Sequence, residues 1–149
     1  MIDIRHYDFP NEDFKRLDNL LNDYYFDNYG EVSLKYHEIN SLKHMDEFFI
    51  AYDNDEAIGI ICVKKFDEKT GELKRLFVMP EYRRAGIAMQ MISCGEEKAK
   101  EIGYDEMVLE TGVEMSQAID LYKKAGYIMV DNFGDYIGDD ITCCMKKSL

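Results

Sequence analysis

The chain has 149 residues, enough for one domain with a real core, and 46% of them are apolar. Lys and Arg number 18 and Asp and Glu 30, so the net charge is −12; this excludes nucleic acid as a partner, whose phosphates would be repelled, and suits solubility or a cationic substrate such as an amine. No signal peptide opens the chain and no apolar run is long enough to span a bilayer, so a cytoplasmic protein with no membrane partner is expected.

Met1–His6 reads as a first strand. From Asn11 to about Tyr25 the pattern is helical: Phe14, Leu17, Leu21 and Tyr24 share one face with Leu20 and Tyr25 beside it, Pro10 and Asn11 suit the start, and Asn28-Tyr29-Gly30 marks the end. A second helix is expected between about Ser33 and Met45. Phe48–Tyr52 and Ala57–Phe66 read as strands joined by the turn Asp53-Asn54-Asp55-Glu56, and the β-branched run Ile58–Val63 suits a central position. Asp67–Gly71 turns into a strand from Glu72 to Val78.

The clearest helix follows. Ala88, Met91, Ile92, Gly95, Ala99 and Ile102 form its apolar stripe, Gln90, Glu96, Glu97, Lys100 and Glu101 face away, and Gly103 stops it. Glu106–Glu110 reads as a strand. Ser116 suits the cap of a helix whose inner face is Ala118, Leu121, Tyr122 and Ala125, with Gly126 at its end. Tyr127–Val130 and Ile141–Lys147 are the last strands, joined by the Gly- and Asp-rich loop Asp131–Asp140. Without a repeat or an interdomain linker, residues 1–149 read as one α+β domain built on one mixed sheet. Its strands Glu72–Val78 and Glu106–Glu110 are adjacent and parallel, joined by a right-handed helical crossover.

The four cysteines (Cys62, Cys94, Cys143, Cys144) form no Cys-x-x-Cys, and the three histidines (His6, His37, His44) lack zinc-ligand spacing. No metal is expected, and the thiols read as small hydrophobes in a reducing compartment.

Val78-Met79-Pro80-Glu81-Tyr82-Arg83-Arg84-Ala85-Gly86-Ile87-Ala88 carries the most information. A small-residue loop that opens a helix after a strand is a place to bind phosphate, because the first helical N–H groups lack internal partners and the helix dipole adds partial positive charge. Gly86 and Ala88 let an anion approach the backbone, and Arg83 and Arg84 add charge. Arg83-x-x-Gly86-x-Ala88 resembles the pyrophosphate motif Q/R-x-x-G-x-G/A of the GNAT superfamily of N-acetyltransferases. A second block, Leu109-Glu110-Thr111-Gly112 followed by Ala118–Tyr127, resembles that family's fifth strand and fourth helix. The two blocks span roughly residues 72 to 127.

The resemblance implies the GNAT fold: a single mixed, mostly antiparallel sheet with helices on both faces, whose fourth and fifth strands splay apart to admit acetyl-CoA. It further implies that Phe77 and Val78 pair with the pantetheine arm, that the Val78 N–H polarises the acetyl carbonyl, and that the amides from Arg84 through Ala85, Gly86, Ile87 and Ala88 hold the pyrophosphate. Ser116 stands where the family often has a pantetheine-bonding asparagine. Lys124 either meets the ribose phosphate or complements its helix C-terminus.

Tyr122 matches the family's frequent general acid; a phenol near pKa ~10 can protonate a thiolate whose own pKa is about 8.5. The alternative is a core aromatic. Glu72 is the candidate base, six residues before Val78 and on the same side of the strand if no bulge intervenes; the alternative is a strand-edge glutamate. Asp131, Asp135, Asp139 and Asp140 either attract a cationic amine or form turns, and Tyr136 and Phe133 are candidates for an apolar wall. The implied activity is transfer of an acetyl group from acetyl-CoA to a primary amine of a small molecule or protein by direct attack in a ternary complex, with a homodimer allowed. A non-catalytic acyl-CoA-binding module on the same fold is the alternative. A dinucleotide-binding domain ranks below both, because no G-x-G-x-x-G is present.

Overall fold

A computed structural model describes residues 1–149. The elements are β1 (Ile2–Tyr7), α1 (Glu12–Tyr29), β2 (Glu47–Asp53), β3 (Glu56–Asp67), β4 (Thr70–Val78), α2 (Ile87–Ile102), β5 (Glu106–Gly112), α3 (Ser116–Lys124), β6 (Ile128–Val130) and β7 (Thr142–Ser148). All seven strands join one sheet in the order β1-β2-β3-β4-β5-β7-β6. Every pairing is antiparallel except that of β4 with β5. No helix is long and apolar enough to cross a membrane.

Alternating side chains give the sheet two apolar faces. Phe48, Ile50, Ile60, Cys62 and Phe77 meet Phe14, Leu17 and Leu21 of α1. Phe49, Ile58, Ile61, Val63 and Leu73 meet Ile87, Met91, Ile92 and Ala99 of α2 on the other face. Gly95 lets α2 settle close: a Cβ there would lie 3.1 Å from a Leu73 methyl and 3.3 Å from a Val63 methyl. Asn11 caps α1 by accepting the Phe14 N–H at 2.9 Å.

Four expectations are corrected. The helix expected over Ser33–Met45 is replaced by two 3₁₀ turns, Gly30–Tyr36 and Leu42–His44. Val32 and Leu34 stay exposed, so no apolar stripe draws the segment inward, and the Ser41 hydroxyl accepts the Lys43 N–H and restarts the chain. Tyr24, expected in the core with Phe14 and Leu17, is 38% exposed. Glu96, expected to face away, is buried, because Tyr127 Oη and Lys147 Nζ reach it at 2.8 and 2.9 Å. Ser116 is the first residue of α3 rather than its cap; Met115 holds that place and no side chain bonds the end.

A fifth departure shapes the molecule. Lys74 pairs with Cys62 and Phe77 with Ile60, so Arg75 and Leu76 together oppose Ile61. This is a β-bulge, and Arg75 sits in it at φ +61°. Its guanidinium is buried and held from α1: Nε donates to Asp18 Oδ1 at 2.7 Å, and one terminal nitrogen donates to the Asp18 carbonyl at 3.2 Å and to Asn22 Oδ1 at 2.6 Å. Replacing Arg75 with Ala strands Asp18 without its partner, and a loss of about 3–5 kcal/mol is expected; chemical denaturation of the purified variant reads it directly.

Candidate active site

β4 and β5 pair only through Thr70–Glu106, Gly71–Met107 and Glu72–Val108. Beyond Glu72 the two strands part, and a cleft of about 1070 Å³ opens between them, bounded also by α1, α3 and the start of α2. Its floor is the unpaired edge of β4. The Met79 N–H donates to Ile58 of β3 at 2.8 Å, so alternation along the strand turns the Val78 N–H and C=O the other way, towards the cleft. The Arg83 Nε donates to that Val78 carbonyl at 2.9 Å, and its guanidinium lies 5.7 Å from the Phe77 ring centre and 6.0 Å from that of Tyr24. Arg83 is thus spent partly on closing the turn.

The turn itself is built for an anion. Arg84 and Gly86 both have positive φ, +66° and +79°, and a side chain at Gly86 would be strained there although no atom lies within 4 Å of a Cβ. The first hydrogen bond of α2 is Gln90 N–H to the Gly86 carbonyl, and no side chain caps the helix. The N–H groups of Arg84, Ala85, Gly86, Ile87, Ala88 and Met89 therefore find no partner within the chain. Six donors in sequence at a helix start, two of them on residues of left-handed conformation, are an arrangement that suits an anion.

Of the residues singled out from the sequence, Glu72, Phe77, Val78, Arg83, Arg84, Gly86, Ile87, Ala88, Ser116 and Tyr122 line the cleft. Ala85 sits in the same turn but outside the wall. Lys124 is exposed on the last turn of α3, away from the cleft. Tyr122 projects from α3, half-buried, with its ring 6.1 Å from that of Tyr127. Burial raises its phenol well above the ordinary value.

Glu72 differs from expectation. The bulge at Arg75 reverses the alternation, so Glu72 shares a face with Phe77 and not with Val78. Its carboxylate is buried, 3.7 Å from Lys74 Nζ, with Oε2 lacking a hydrogen bond. Lys74 donates to Tyr136 Oη at 2.8 Å. Burial pushes Glu72 up and Lys74 down. The Asp131–Asp140 loop does not line the cleft. Tyr136 is buried against Lys74, Phe133 packs on Phe66 with ring centres 4.9 Å apart, and Asp139 is taken up by Tyr36 at 2.5 Å and Lys35 at 3.4 Å.

The structure supplies a carboxylate that sequence reasoning left without a role. Glu110 of β5 lines the cleft, accepts no hydrogen bond from the chain, and is pushed up to about 7, chiefly by burial, against the lowering effect of Lys74 and with the help of Glu72 and Asp139. Its signal in the sequence is an acid that directly follows the apolar run Met107–Leu109. Tyr25 lines the same space, and burial raises its phenol to about 12.

Comparison with known proteins agrees with this geometry. The model of the Acetyltransferase (GNAT) family matches residues 14–127. The uncharacterized N-acetyltransferase YsnE of Bacillus subtilis is 32% identical over 104 residues, covering 68% of this chain and 69% of that protein. An acetyltransferase from Streptococcus agalactiae superposes with a TM-score of 0.78 at 20% identity, over 99% of this chain and 98% of that one. A GNAT family acetyltransferase from Elizabethkingia anophelis, solved with acetyl-CoA bound, does so with a TM-score of 0.74 at 22% identity, over the same 99% and 98%. With the splayed strands, the donor-rich turn and these matches in agreement, the chain belongs to the GNAT family of acetyltransferases.

Proposed function

We propose that residues 1–149 form one catalytic domain that moves the acetyl group of acetyl-CoA to a primary amine by direct attack, without a covalent enzyme intermediate. The observation that carries this reading is the run of six unpartnered N–H groups from Arg84 to Met89 at the mouth of a cleft floored by a free strand edge. The donors suit a diphosphate, and the β4 edge at Phe77 and Val78 suits the amide groups of a pantetheine arm, with the Ser116 hydroxyl facing it from α3. Acetyl-CoA supplies the activated acyl carbon; the chain supplies position and proton transfer. The four free thiols fit work in a reducing cytoplasm. Lys124, outside the cleft, complements the C-terminal end of α3.

Glu110 is the general base in this reading. It takes one proton from the incoming ammonium, and its raised pKa brings it nearer to that task than a free carboxylate. The Val78 N–H steadies charge growing on the acetyl oxygen. As the new C–N bond forms and the C–S bond breaks, Tyr122 gives its proton to the departing sulfur; the second proton leaving the nitrogen restores the phenol through solvent. Burial raises the basicity of the thiolate along with that of the phenol, so the transfer between them stays feasible. Glu72 is the second candidate for the base, favoured by its own burial and its unpartnered Oε2 and disfavoured by its ion pair with Lys74.

Three outcomes are expected. Tyr122→Phe lowers kcat about 10²-fold or more while calorimetric affinity for acetyl-CoA holds; an unchanged kcat removes the acid role. Gly86→Val, forced into left-handed backbone at the turn, weakens acetyl-CoA binding at least about tenfold, and unaltered binding counts against the anion receptor. Glu110 must lose its proton to act, so kcat/KM for the amine rises through pH about 7, and Glu110→Gln removes that limb along with about 10²–10⁴ of rate. Loss of the limb in Glu72→Gln instead assigns the base to Glu72. The same group gives a stability check. A carboxyl raised in the folded state holds its proton there longer than in the unfolded chain, so it costs stability progressively between the ordinary carboxylate range and pH about 7. Glu110→Gln therefore raises the denaturant midpoint at pH 8 and leaves it nearly unchanged at pH 4.

A further inference from the structure

The turn from Pro80 to Gly86 carries the first three of the unpartnered N–H groups, those of Arg84, Ala85 and Gly86. It is held mostly by local bonds. The Tyr82 N–H donates to the Met79 carbonyl at 2.9 Å and the Arg83 N–H to the Pro80 carbonyl at 3.3 Å, while Arg83 Nε donates to the Val78 carbonyl at 2.9 Å. One side-chain hydrogen bond ties the turn to a distant part of the chain: Tyr82 Oη donates to Asp53 Oδ2 at 2.9 Å. Asp53 ends β2, where it pairs with Ile2 of β1 and Glu56 of β3, so the sheet fixes the acceptor from both sides. The Tyr82 ring packs against the core beneath α2 and borders the cleft.

A set of main-chain donors binds only as well as its loop is held, because any ordering left to the ligand weakens binding. Only Arg83 stands between Tyr82 and Arg84, and Arg84 has left-handed backbone at φ +66°. A residue with a side chain keeps that conformation only where its surroundings fix it. The Asp53 contact is suited to that task. It is charge-assisted: the carboxylate raises the Tyr82 phenol and the hydroxyl holds Asp53 below the usual carboxylate range, so donor and acceptor keep their roles at neutral pH. Asp53 does not line the cleft, and its other oxygen takes the Met1 amino group at 3.1 Å. Its influence on a ligand therefore passes through Tyr82.

We propose that Asp53 and Tyr82 are positioning residues for the acyl donor: their hydrogen bond fixes the turn, so that the N–H groups from Arg84 onward meet the diphosphate already aligned. This rests on the acetyltransferase reading above and adds to it two residues that the reaction itself does not use. Neither one touches the reacting atoms, and neither gives or takes a proton in the transfer. Their contribution is to donor affinity and not to the chemical step.

The test compares two donors in the full chain, acetyl-CoA and S-acetylpantetheine, which lacks the diphosphate. Thiol release is measured across a panel of primary amines, and CoA binding by calorimetry. Tyr82→Phe keeps the ring and removes the bond. It should weaken CoA binding and raise KM for acetyl-CoA about fivefold, while kcat holds and kcat/KM for S-acetylpantetheine is unchanged. Asp53→Ala should weaken CoA binding at least as much, and adding Tyr82→Phe to it should bring no further loss. A merely loosened fold would slow both donors alike. Unchanged CoA affinity in Tyr82→Phe overturns the proposal, as do equal losses with the two donors or additive losses in the double variant; each of these leaves the transferase reading standing. Absence of thiol release with every amine overturns the transferase reading, and calorimetry with CoA then decides the positioning role alone.

Discussion

The cleft depends on one buried cation. Arg75 occupies a position where β4 carries one residue more than β3 can match, and its guanidinium is gripped by Asp18 and Asn22 of α1. A bulge bends its strand and increases the local twist. Here the bend begins three residues after the last β4–β5 pair, Glu72–Val108, so the second half of β4 turns away from β5 with its edge unpaired. The ion pair has excellent geometry and extra hydrogen bonds, which is the condition under which a buried charge is tolerated. The same contact that ties α1 to the sheet thus keeps the cleft open.

The charges around that space are unequally treated. Arg75 is compensated, and Lys74 is flanked by Glu72 and the Tyr136 hydroxyl. Asp139 is occupied by Tyr36 and Lys35. Glu110, half-buried in the cleft wall, is left with neither a hydrogen bond nor an ion pair from the chain. Groups displaced in pKa by burial and set in a cleft are where function concentrates, and in the proposed reaction an incoming ammonium is the complement that Glu110 lacks. Lys74 modulates it, since its charge favours the ionised form of Glu110.

Much of this was readable from the chain. The strand–turn–helix around Arg83-x-x-Gly86-x-Ala88 carries its own physics, because missing donors at a helix start are a local property. The apolar stripes of α1 and α2 follow from spacing, and the parallel neighbours β4 and β5 follow from the crossover. What escaped was tertiary. No periodicity announces that two residues will face one across β3, so the side taken by Glu72 could not be placed. Glu96 looked solvent-facing because its partners, Tyr127 and Lys147, come from elements far along the chain. Glu110 stood inside a recognised motif, but its lack of a counter-charge is visible only when Arg75 and Lys74 are seen to be engaged. The segment from Ser33 to Met45 has helical residues without a helical face.

The strand order carries a last implication. β7 lies between β5 and β6 although it follows both in sequence, and β6 pairs with nothing else. During synthesis the half of the sheet from β1 to β4, with α1 and the phosphate turn, can consolidate while β5 and β6 still lack the strand that joins them. The sheet is continuous only once β7 has entered between β5 and β6. Under the proposed reading, the part of the fold that would hold the nucleotide end of the donor is thus local in sequence, while the far wall of the cleft waits for the last strand to insert.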